Sequence, residues 1–212
     1  MSMTLYGICV SPYVRKVYVV AEKLGLEFDN VPFTPFNKPD NFNDISPLGK
    51  MPLLVDGDLT LADSSIICDY LVNQYGNNEF YPTDPATRGK ALWFEEYADT
   101  KLVEVLGGLF YERVLAPKFT QDPTNQDRVD DILTNLLPPV QDYLESNLPD
   151  TGFILGEMSI ADIAITTHFI NASYAQYQVD GEKWPKLAAY IAMMLALPCF
   201  AKRMAEDAKV FS

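Results

Sequence analysis

With 212 residues and 48% hydrophobic side chains, the chain can bury one large core or two modest ones, and no internal repeat or low-complexity tract interrupts it. A formal charge of −13 argues against a nucleic-acid partner, because phosphate recognition needs basic patches. A single histidine and three cysteines (Cys9, Cys68, Cys199) argue against a histidine-based metal site, a serine–histidine triad and a complete set of disulfides.

Met1 to Val10 carries no basic segment followed by a long apolar run, so no secretory signal is expected. Residues 3–8 read as a short strand. Ser11-Pro12 then sets an N-cap serine and an N1 proline ahead of an amphipathic helix over 13–24, with Gly25 as its terminating glycine. Residues 27–33 read as a second strand. Residues 34–50, rich in Pro, Asn and Asp, read as a loop with at most a short helix. A strand from Met51 to Val55, a turn at Asp56-Gly57-Asp58 and a return strand from Leu59 to Leu61 make a hairpin. Asp63-Ser64 opens a helix reaching about Tyr75. The order βαβ-ββα predicts a mixed four-stranded sheet with helices on its faces.

Residues 76–87 are polar and contain prolines, and no strand pattern follows them. The expected division is therefore a first domain over 1–79, a linker over 80–87 and an all-helical domain over 88–212. Helices are expected over 88–114, with Gly107-Gly108 as a bend or close-contact point, and over 126–148, broken or kinked at Pro138-Pro139. Further helices are expected over 159–177, 184–196 and 198–208. Ser159-Ile-Ala-Asp162 is a capping-box variant, with Met158 and Ile163 spaced as a hydrophobic staple. The uncharged run from Ile163 to Val179 is too polar to span a membrane, and the one from Leu187 to Ala201 is interrupted by Pro198. A cytoplasmic protein with no membrane partner is expected. Cys68 and His168 read as buried structural residues.

Four motifs resemble the glutathione transferase superfamily. Ser11-Pro12-Tyr13-Val14-Arg15-Lys16-Val17 is similar to the serine-type active-site turn. Pro47-Leu48-Gly49-Lys50-Met51-Pro52-Leu53-Leu54 is similar to the loop that leads to the family's cis-proline. Asp63-Ser64-Ser65-Ile66-Ile67 is similar to its acidic–serine pair, and Gly156-Glu-Met-Ser159-Ile-Ala-Asp162 to its helical-domain folding motif. Their order across two domains carries the resemblance. It implies an α/β thioredoxin-like N-terminal domain followed by an all-α helical C-terminal domain. The class stays open, because the turn has tau- and omega-like features, Cys9 stands near the beta-class cysteine but not at its spacing, and Asp63 stands where many members have glutamate.

The resemblance implies that glutathione is the co-substrate and that no metal takes part. Ser11 would be catalytic, donating a hydrogen bond to the glutathione sulfur at a helix N-terminus, with Arg15 adding to the positive field. A cis Met51–Pro52 bond would turn the Met51 backbone toward the cysteinyl unit. Asp63 and Ser64 would hold the γ-glutamyl end, and Lys38 and Lys50 the glycine carboxylate. Tyr13, Phe36, Tyr111 and Phe119 are candidate walls for a small hydrophobic electrophile. A homodimer is implied as well, and the aromatic segment from Leu92 to Val103 is compatible with one. Residues 1–55 carry five basic and five acidic side chains, so the acidic excess lies after them and an anionic ligand fits the front half best. Two alternatives stay open: thiol–disulfide exchange or peroxide reduction through Cys9, and a non-catalytic carrier of glutathione or another ligand. A zeta-like isomerase would need a double-serine–cysteine turn that is missing here.

Overall fold

The computed structural model describes residues 3–40, 42–76 and 79–211. The chain forms two compact units: residues 1–83 together with 198–212, and residues 84–197.

The first unit is built on β1 (Met3–Tyr6), α1 (Pro12–Lys23), β2 (Phe28–Val31), α2 (Phe42–Ile45), β3 (Leu53–Asp56), β4 (Leu59–Ala62) and α3 (Ser64–Tyr75). The four strands lie in the order β2-β1-β3-β4, with β1 parallel to β2 and antiparallel to β3, and β3 antiparallel to β4. This is the mixed sheet that the sequence order predicts. The local signals act where expected. Ser11 is extended at φ −64°, ψ 126° and caps α1, with Pro12 in its first turn. At the other end, Gly25 takes φ +70°, while its N–H donates to the Glu22 carbonyl at 3.1 Å and the Leu26 N–H donates to the Ala21 carbonyl at 2.8 Å. That is the Schellman pattern, and it needs a residue without Cβ at the left-handed position. Fully buried Val14, Val17 and Val20 line one stripe of α1, and α1 packs on α3.

α10 (Pro198–Phe211) belongs to this first unit, where it packs against α1. The expectation of a helical domain running to residue 212 differs from this arrangement. The reason is a set of charged side chains on α10, Arg203 and Asp207, that meet partners on α1.

The second unit begins at Asp84, and its first helix starts three residues earlier than the sequence pattern suggested. α4 (Pro85–Tyr97) is capped by Asp84, whose carboxylate accepts from the Thr87 N–H and hydroxyl, both at 2.8 Å. Part of the expected linker over 80–87 is thus a helix start, and Asn77 and Asn78 of the connection lie outside the described residues. The helix continues without a break through wider π-type turns (Ala98–Gly107), α5 (Gly108–Phe110) and a second π-type stretch (Tyr111–Thr120). The Gly107-Gly108 pair is a close-contact point: a Cβ on Gly108 would lie 3.2 Å from the Ile132 side chain. α6 (Gln126–Asp131), π-type turns (Ile132–Leu136) and α7 (Leu137–Asn147) follow as one uninterrupted helical run, and Pro138-Pro139 fall just after the π-type turns, at the start of α7. α8 (Ile160–Tyr174) is buried along almost its whole length, and α9 (Pro185–Leu195) packs on it. The expected capping box at the start of α8 is present. Among the described residues no single helix is long and apolar enough to cross a membrane.

Candidate active site

Register brings the sequence motifs of the first unit to one edge of the sheet. Tyr6, the last residue of β1, pairs with Val31 at the end of β2 and with Leu53 at the start of β3, and Leu53 pairs with Ala62 at the end of β4. The turn leading to Ser11, the loop over 34–50, the Met51–Pro52 bond and the Asp63-Ser64 helix start therefore all leave the sheet at the same edge. Gly7, at φ +139°, closes the join. A Cβ there would lie 2.5 Å from Val14 Cγ2 and 3.2 Å from Met51 Cβ, so only glycine lets the first turn of α1 and Met51 approach the end of β1.

The Ser11 hydroxyl accepts from the Val14 N–H at 3.5 Å, a long bond that uses a lone pair and leaves the O–H as a donor at the positive end of α1. The Met51–Pro52 peptide is cis. Asp63 is the N-cap of α3, and its carboxylate accepts from the Ser65 N–H at 2.9 Å and the Ile66 N–H at 3.3 Å. Its backbone sits at φ 77°, ψ 132°, a region that costs a non-glycine residue about 1–3 kcal/mol and that recurs at binding sites. Ser64 beside it is buried, with 2% of its surface exposed. Lys16 is wholly buried, and its ammonium donates to the Ser65 hydroxyl at 3.0 Å, which sets a cation behind this helix start. Sequence reasoning left Lys16 without a role; burial of a lysine on the apolar stripe of α1 was the signal.

The remaining candidates are more dispersed. Lys38 and Lys50 are exposed in the loop over 34–50, where the Lys38 ammonium donates to the Gly49 carbonyl at 2.6 Å. Residues Lys38, Pro39, Asp40, Phe42, Asn43 and Asp44 line a depression of about 360 Å³. Tyr13 is half-buried in the first turn of α1, and Phe36 is exposed. Tyr111 and Phe119 are exposed on the second unit. Arg15 is not part of the field at Ser11. It is fully buried and directed to Asp207, with Nη2 and Nε donating to the same carboxylate oxygen at 2.6 and 3.2 Å.

Cys9 lies near the same carboxylate. Burial first, then the charge and hydrogen bonding of Asp207, push its thiol up to about 12. That disfavours the thiolate, the form that thiol–disulfide exchange requires. Among the described residues no cluster of His, Cys, Asp and Glu has metal-binding geometry.

A mixed sheet in this strand order, with a serine-capped first helix, a cis-proline and an acidic–serine helix start on one edge, followed by a helical unit, defines a thioredoxin-like binding module joined to a helical domain. Residues 5–79 match the family model for the glutathione S-transferase N-terminal domain. Mouse (Mus musculus) glutathione S-transferase theta-3 is 28% identical over 195 residues, which span 90% of this chain and 80% of that relative. A glutathione S-transferase from Hyoscyamus muticus is 26% identical over 216 residues, spanning 95% and 97% of the two chains. The solved structure of an epsilon-class glutathione S-transferase from the housefly, Musca domestica, superposes with a TM-score of 0.81 at 28% identity, over 99% of this chain and 94% of that one. Residues 5–79 thus match the glutathione S-transferase N-terminal domain model, and over nearly its whole length the chain is similar to glutathione S-transferases.

Proposed function

We propose that this protein is a glutathione transferase that holds glutathione at this edge of the sheet and presents its thiolate to a small hydrophobic electrophile. The observation that carries the reading is the convergence of Ser11, Met51–Pro52 and Asp63-Ser64 on that edge. A free thiol ionises near pH 8.5, and a fall of two units corresponds to about 2.7 kcal/mol of preferential thiolate binding. The Ser11 O–H and the N-terminus of α1 supply it together: a donor and a positive potential both favour the ionised sulfur. The Met51 backbone pairs with the cysteinyl unit in the manner of an added strand. The Ser64 hydroxyl and the first N–H groups of α3 take the γ-glutamyl carboxylate, Asp63 attracts the amine, and Lys38 and Lys50 face the glycine carboxylate. Tyr13 and Phe36 offer apolar contact to the electrophile. Work in the cytoplasm, as a homodimer with a role in detoxification, is part of the same proposal, and it rests on the resemblance of the sequence motifs alone.

The test is Ser11→Ala. Loss of one charge-assisted hydrogen bond, about 1.5–3 kcal/mol, lowers kcat at neutral pH roughly 10- to 150-fold where deprotonation limits the rate. Higher pH restores part of the loss, since glutathione then ionises without help. The absorbance of bound thiolate against pH reads the effect directly. Identical titrations and equal turnover in wild type and variant would remove Ser11 from the chemistry.

A further inference from the structure

We propose that Asp207 of α10 is a positioning residue for Ser11, acting through Arg15 on the turn that carries the hydroxyl. The inference rests on the function proposed above. Arg15 Nη2 bridges two groups: it donates to Asp207 Oδ2 at 2.6 Å and to the Val10 carbonyl at 3.2 Å, while Nε donates to the same carboxylate oxygen at 3.2 Å. Both side chains of the pair are fully buried. Val10 directly precedes Ser11. The Arg15 backbone N–H donates to the Ser11 carbonyl at 2.9 Å, so one residue grips the turn on both sides of the Ser11 nitrogen. The Cys9 thiol also interacts with Asp207. One carboxylate on the last helix thus gathers Cys9, and Val10 through Arg15, into a fixed arrangement around the N-cap.

A buried charge that loses its partner is costly. With Asp207 present, the guanidinium is neutralised and its planar fork is held, and the fork in turn holds the Val10 carbonyl. Without the carboxylate a buried cation loses its compensation and its orientation, and the Val10 peptide is released with it. Ser11 Oγ must stay within about 0.5 Å of its working position relative to the sulfur, because misplacements near 1 Å cost about 10²-fold in rate. A residue 196 positions after Ser11 therefore sets the geometry of the thiolate site without touching glutathione.

The experiment compares Asp207→Asn with wild type in thermal denaturation, in the pH titration of bound glutathione thiolate, and in kcat and KM with a halogenated nitroaromatic. The expected result is a folded protein of lower Tm whose thiolate titration moves up by about one unit. Its kcat at neutral pH falls about tenfold and recovers at higher pH, while the KM for glutathione changes less than twofold. A role in stability alone would lower Tm and leave titration and kcat unmoved, and that outcome overturns the proposal. Should Asp207→Asn fail to fold, Asp207→Glu and Arg15→Lys keep the charges and displace the fork. Either one shifts the titration in the same direction, and wild-type titrations in both overturn the proposal. A wild-type protein without any glutathione thiolate band overturns the function and this inference together. A normal wild-type band that the variants leave unmoved overturns the positioning role alone.

Discussion

Ser64 illustrates how a buried hydroxyl differs in its task from the one proposed to be catalytic at Ser11. It stands at the first position of α3, 2% exposed, beside a residue held at φ 77°. Its proposed contact is with the γ-glutamyl carboxylate, which carries the same charge before and during reaction. Binding of that kind is uniform, so Ser64→Ala raises the glutathione KM about 10-fold and leaves kcat within about threefold. Steady-state kinetics with glutathione as the varied substrate decide it, and an unchanged KM removes Ser64 from the site. At this scale the sequence was legible where function and capping use the same residue. Ser11 and Asp63 each announce a helix start, and each stands at the sheet edge. It was not legible where partners are distant: Arg15 reads as one more cation near Ser11, and only the fold shows Asp207, 192 residues away, claiming it. The strained backbone of Asp63 was likewise invisible, since nothing in the residue type reports its φ.

Capping carries much of the architecture at the level of elements, and the clearest case is the start of α8. The Asp162 carboxylate accepts from the Ser159 N–H at 2.8 Å, the Ser159 hydroxyl at 3.0 Å, the Ile154 N–H at 2.9 Å and the Tyr190 hydroxyl at 2.9 Å. It ties the bend over 153–157 and α9 to the first turn of α8. Burial pushes its pKa up from the ordinary 3.8, and the four hydrogen bonds oppose the shift without reversing it. The sign follows: in the native protein the proton is held to higher pH than in the unfolded chain, so this group's contribution falls as pH rises from about 4 through its raised value. Asp162→Asn removes that pH dependence. It also presents an amide N–H₂ to groups that themselves donate, which destabilises by roughly 2–4 kcal/mol. Thermal denaturation from pH 4 to 7 is the check, with a lower Tm for the variant throughout and a slope of Tm against pH that is more positive than in wild type at the acid end. Equal slopes would refute the assignment. The same capping logic was available at Asp84-Pro85, which repeats the cap-then-proline pattern of Ser11-Pro12, yet apolar periodicity sets in only later and pulls the sequence reading to residue 88. The π-type turns had no sequence signal that the apolar pattern could report.

For the whole molecule, two properties bear on association. The chain carries −13 at neutral pH, and copies of it repel one another. Against this, α4 presents Leu92 and Trp93 at 42% and 53% exposure, and Trp93 sits in an aromatic group with Tyr97 and Tyr143, donating its indole N–H to the Tyr143 hydroxyl at 2.6 Å. Large exposed aromatic side chains held in place by such contacts lose little entropy on being covered, which makes them good anchors for an interface. The expected partner is a second copy of the chain. If apolar burial drives a homodimer while net charge opposes it, raising the salt concentration from 20 to 300 mM screens the repulsion and tightens the dimer. Replacing Trp93 with Ser weakens it by about 2 kcal/mol or more, a rise in the dissociation constant of roughly 30-fold. Sedimentation velocity over a micromolar dilution series at the two salt concentrations measures both effects. A single-chain mass at micromolar concentration in high salt would rule out the dimer. A dimer that salt loosens would instead place opposite charges, rather than the Trp93 face, at its interface.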